Sequence, residues 1–134
     1  MPNDFQELVD NCHHMSEELL VSQDGEFYPF GAQIDVMGEF AFMHYSDGDE
    51  FPLSQTKIDN LRNYFDKEIR LNKIRSYSIA FDCLVKTEKL SEKTDAIAIE
   101  CVSVISNQKT VYYFPYVMAS SNEVSFGESW AENI

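Results

Sequence analysis

The apolar residues of this chain change their spacing partway along it, from a helical repeat before residue 22 to strict alternation after Glu26. Phe5, Leu8, Val9, Cys12, Met15 and Leu19 recur at steps of three and four, which places them on one stripe of an α-helix. Phe30, Ala32, Ile34 and Val36 alternate with Gly31, Gln33 and Asp35, the pattern of a strand with one buried face. A chain that carries both periods has to pack helix against sheet. The spacing predicts a first helix over 3–21, with Asn3 as N-cap and Gln6 completing a capping box. Asp4 and Glu7 in its first turn suit the helix dipole, and Asp24-Gly25 turns the chain out of it.

The remaining segments extend the same logic. Met37-Gly38 is a tight turn into a second strand over 39–45, and Ser46 to Glu50 is a charged loop. Ser54 is expected to cap a second helix over 54–71, with Ile58, Leu61, Phe65 and Ile69 on its buried face and Asp66 paired with Arg70. Ile79, Phe81, Cys83 and Val85 alternate in a third strand. A fourth follows over 95–105, a hairpin turn over 106–109, a fifth strand over 110–118, and a short one around 124–126. The expectation is an α+β fold in the order α-β-β-α-β-β-β, an antiparallel sheet of five or six strands with two helices on one face. Ile79, Phe81, Ile97 and Ile99 would lie beneath those helices. The 134 residues suit a single domain with one core.

Charge is distributed unevenly. Residues 1–56 carry twelve acids and no Lys or Arg, while all ten basic residues fall between Lys57 and Lys109; the net charge is −13. Such a balance disfavours nucleic acid and anionic membrane surfaces, both of which call for clustered Lys and Arg. It favours a basic protein partner drawn in by long-range attraction. Residues 1–25 lack a basic start followed by an uninterrupted apolar stretch, and no apolar run is long enough to span a bilayer. These readings imply a cytoplasmic location, where Cys12, Cys83 and Cys101 stay reduced and act as small apolar residues.

Several segments together resemble a family of small uncharacterised bacterial proteins of similar length. They are Glu26-Phe27-Tyr28-Pro29-Phe30-Gly31-Ala32, Met37-Gly38-Glu39, Asp95-Ala96-Ile97 with Glu100, Pro115-Tyr116, and Phe126-Gly127-Glu128. The resemblance covers most of the chain from Gly25 onward and implies one domain. It also implies a longer, apolar end than Ile134 provides, and it carries over no catalytic residue.

No stretch has the spacing that dedicated chemistry requires. Cys12-His13-His14 lies near Asp10, Glu17 and Glu18, but neighbouring histidines on a helix point about 100° apart and do not converge on one ion. Asp47-Gly48-Asp49-Glu50 lacks the alternation of a calcium loop. Nucleophile elbows and phosphate loops are absent. Neither a metal nor another cofactor is expected. Asp82 and Glu100 form the one acid pair with catalytic potential, if both project from the sheet face opposite Phe81 and Ile99. Tyr112, Phe114 and Tyr116 would stand beside them.

The reading these features favour is a non-enzymatic acidic binding protein, an immunity or antitoxin-like inhibitor of a basic protein. Asp47, Asp49 and Glu50 would supply charge to its contact surface, and Tyr112, Phe114 and Tyr116 the aromatic area. The alternative is a small hydrolase or ligand-binding domain that uses Asp82 and Glu100.

Overall fold

The structure, a computed structural model, describes residues 3–23, 25–44, 53–86 and 92–134. Helix α1 (Asn3–Ser22) leads through Gly25, at φ +84°, into β1 (Phe30–Asp35) and β2 (Phe40–Met43). Helix α2 (Ser54–Arg70) follows, then β3 (Ile74–Val85), β4 (Thr94–Ser103), β5 (Gln108–Ser120), β6 (Glu123–Phe126) and β7 (Trp130–Asn133). All strand pairs are antiparallel, in the order β2-β1-β3-β4-β5-β6. β7 shares the outer edge of β5 with β6: it pairs with residues 110–113, and β6 pairs with residues 116–120. The α+β class and the element order match the sequence expectation, with one strand more. β7 escapes the sequence because Trp130 is its only large apolar residue, so backbone pairing rather than a pattern defines it.

The two helices lie on opposite faces of the sheet, not on one as expected. Phe5, Leu8, Val9 and Cys12 of α1 pack with Phe30, Ala32, Ala80, Ile97, Ile99 and Cys101. Ile58, Leu61 and Phe65 of α2 pack with Tyr77 and Ile79. Ile79 pairs with Glu100 and Ala80 with Ile99, so Ile79 and Ile99 belong to different faces. The physical reason is residue size. Ser76, Ser78 and Ala80 in β3, and Ala96 and Ala98 in β4, are buried small residues, not solvent-facing ones. Small side chains let a helix approach the sheet closely, and a search for large apolar residues passes over them. Gly31 serves the other helix in the same way: a Cβ there would sit 2.6 Å from the Phe65 ring.

Polar contacts fix each helix. The Arg75 guanidinium donates to both Asp4 carboxylate oxygens at 2.9 and 3.0 Å, and the Ser76 hydroxyl adds a bond of 2.8 Å. This holds the Asp4 carboxyl below the usual carboxylate range and ties the start of α1 to β3. On the opposite face, Arg62 of α2 donates to Glu100 at 3.0 and 3.1 Å.

The expected caps take other forms. Gln6 bonds forward to Asp10, since α1 begins at Asn3 itself. Ser54 is the first helical residue of α2, and Leu53 occupies the cap position in an extended conformation without a side-chain bond. Arg70 donates to the Asp66 carbonyl at 3.4 Å, so the side-chain pair foreseen there is a helix-end contact.

Candidate functional site

Helix α1 buries one stripe and leaves the other to solvent. Its acids are Asp4, Glu7, Asp10, Glu17 and Glu18, and it contains no Lys or Arg. Asp4 is taken up by Arg75; Glu7, Asp10 and Glu18 are exposed and Glu17 partly so. Helix α2 on the far face is balanced instead, with Lys57, Arg62, Lys67 and Arg70 against Asp59, Asp66 and Glu68. The sheet thus separates an acidic side from a mixed one. Glu17 and Glu18 stand close to the last turn of α1, where the dipole offers negative charge no support. They line a shallow depression with His14 and Val21, and His14 Nε2 lies 3.0 Å from Glu18.

His13 and His14 diverge as helical geometry requires. His13 turns inward, with its ring centroid 4.5 Å from Phe114 and 4.6 Å from Phe126. Burial lowers its pKa against the pull of Glu17 and Asp10, so it packs as a neutral ring between aromatics. Among the described residues, no three His, Cys, Asp or Glu side chains are grouped to hold a metal ion. Burial pushes the Cys12 thiol up to about 12 and Cys83 to about 11, which makes both poor nucleophiles.

Asp82 and Glu100 do not come together. Asp82 pairs with Ile97 and faces α1, whereas Glu100 pairs with Ile79 and faces α2. Phe81 and Ile99, expected on a common face, are separated by the same register. Each acid has its own partners. The Tyr116 hydroxyl donates to Asp82 Oδ1 at 2.8 Å. Glu100, 3% exposed, accepts from Arg62 and has Lys109 Nζ 3.7 Å away. Two carboxylates on opposite sides of a sheet cannot act on one substrate, so Asp82 and Glu100 do not form a catalytic pair.

Tyr112, Phe114 and Tyr116 lie on the α1 side rather than forming a free aromatic surface. Tyr116 is buried, Tyr112 meets Phe5 edge-on at 6.4 Å, and Phe114 packs against His13. Their alternates on β5 face the other way, where Tyr113 stacks on Trp130 at 5.2 Å. Sequence reasoning missed that stack together with β7. Asp47, Asp49 and Glu50 lie outside the described residues. The α1 surface was visible as the absence of Lys and Arg before residue 57, but the helix itself was not singled out as its carrier. No helix among the described residues is long and apolar enough to cross a membrane. In comparisons with known proteins, the chain matches no family model, no curated protein and no solved structure.

Proposed function

We propose that this chain is a non-enzymatic binding protein that docks a basic protein partner on the outer face of α1. Its concrete form is an immunity or antitoxin-like inhibitor, which covers a cationic surface that would otherwise meet phosphates. The observation that carries the reading is a helix whose charges are all acidic, set on the opposite side of the sheet from nearly balanced α2. Acids arranged without counter-charges raise the local potential and speed encounter with a cationic surface.

The test is association kinetics against the protein that co-purifies from native cells. The on-rate should fall steeply with added salt while dissociation changes less. Replacing Glu7, Asp10, Glu17 and Glu18 together by their amides should reproduce the effect of high salt. An on-rate indifferent to salt, or an acidic partner, refutes the proposal.

A further inference from the structure

Six large apolar side chains that solvent reaches gather at one end of the sheet. Val36 and Met37 lie in the β1–β2 turn, Leu71 between α2 and β3, Val104 and Ile105 in the β4–β5 turn, and Ile134 after β7. Backbone bonds set these segments side by side. Val36 N–H donates to the Lys73 carbonyl at 3.2 Å, Val104 N–H to Arg75 at 3.0 Å, and Ile134 N–H to Lys109 at 3.0 Å. The result is a row that crosses the sheet end from β1 to β7. Met37 is 84% exposed, Ile105 73% and Ile134 72%.

Summed over the row, the six offer on the order of 600 Å² of solvent-reached surface, approaching the ~800 Å² each partner gives a standard interface. The β1–β2 turn that carries Val36 and Met37 is tightly held. Asp35 Oδ1 accepts from the N–H groups of Met37 and Glu39, each at 2.9 Å, and Gly38 takes φ +89°. Ordering such turns on docking costs little.

Charge selects the occupant. The chain as a whole is −13, yet this end carries both signs: Arg70 and Lys73 with Asp35, Glu39, Glu68 and Glu132, Arg75 engaged by Asp4 and close to Glu7, and Lys109 engaged by Glu100. Glu17, Glu18, Glu26 and Asp95 lie toward the opposite end, where α1 closes and β3 meets the start of β4. At about 3.3 Å per residue β3 is roughly 40 Å long, several times the screening length of about 8 Å at physiological salt. Two copies can therefore meet end to end with Glu17, Glu18, Glu26 and Asp95 of each beyond the reach of the other. A twofold axis would set the cations of one copy against the acids of the other. An anionic membrane would find no net positive charge here, and a strongly charged protein no complement.

We propose that this end of the sheet is a homodimer interface, with Met37 and Ile105 at its centre. The contact borders the first turn of α1, where Arg75 bonds Asp4, and leaves Glu17 and Glu18 near the other end of that helix outside it.

Sedimentation velocity of the full chain over a range of concentration and salt tests the proposal. A reversible monomer–dimer equilibrium that persists in raised salt is expected, because its centre is apolar, whereas association with a basic partner is lost there, which keeps the two proposals separable. Met37→Asp combined with Ile105→Asp should weaken dimerisation roughly a hundredfold, the usual result of losing two central anchors, with circular dichroism unchanged, and melting unchanged at concentrations where both proteins are monomeric, because both residues face solvent in the monomer. Glu17→Gln with Glu18→Gln should leave the dimer intact. Wild-type chain that stays monomeric at high micromolar concentration in raised salt overturns the proposal. So does a dimer unmoved by the double Asp variant, or a monomer that instead co-sediments with lipid vesicles through Met37.

Discussion

Replacing Asp82 by Asn should stabilise the fold at neutral pH and leave it nearly unchanged under mild acid. Burial pushes the Asp82 carboxyl up from the ordinary 3.8 to about 6; Asp95 and Glu26 add repulsion, against the opposing bond from Tyr116. A folded chain with a raised carboxyl binds more protons than the unfolded one between these two values. Stability contributed by this group therefore rises as pH falls through that window, and the penalty is complete above it. Two pK units correspond to about 3 kcal/mol. Asp82 is only half-buried, and solvent screening reduces the expected effect to about 1 kcal/mol. Asn keeps an oxygen to accept the Tyr116 hydroxyl, so the variant removes charge without orphaning a buried donor.

Thermal and urea unfolding of both proteins, measured near neutral pH and again near pH 4, isolates the group, because every other titration cancels in the difference. The variant should melt about 4 °C higher at neutral pH, and the two curves should converge in acid. A variant less stable than the parent at neutral pH, or a difference that does not change with pH, refutes the reasoning.

Two further substitutions probe how each helix is seated. Gly31→Ala sets a Cβ 2.6 Å from the Phe65 ring; overpacking at that contact should cost about 2 kcal/mol, read as a lower urea midpoint with an unchanged slope. Asp4→Asn removes the charge that engages Arg75 and Ser76 and should cost about 1–2 kcal/mol at neutral pH. Because the Asp4 pKa is lowered by folding, its contribution is present above the ordinary carboxylate range and disappears as pH falls through its folded value, so parent and variant should converge in strong acid.

Legibility in the sequence followed the size of side chains. Both helices were visible because their apolar residues are large and regularly spaced: 3–21 and 54–71 were expected, Asn3–Ser22 and Ser54–Arg70 are observed. The faces of the sheet were not. In β3 and β4 one parity is rich in Ile, Phe and Tyr while the other holds mainly Ser and Ala, and residues of both are buried. A rule that assigns small residues to solvent collapses two covered faces into one, and Asp82 and Glu100 were misplaced as a pair for that reason. The aromatic triplet of β5 failed by the same parity. The acidic region was legible in the distribution of charge along the chain, but charge alone does not say which element carries it outward.

The position of α1 along the chain has a consequence for the order of folding. Its buried stripe packs against β1, β3, β4 and β6, which are made later, some of them about a hundred residues downstream. β3, β4 and β5 are joined as successive hairpins, and local pairing of that kind closes faster than long-range contact. The central meander is thus expected to form first, with α1 docking onto it late. Until then the apolar stripe of α1 stays uncovered, and like charge on its other side disfavours association between two such uncovered helices.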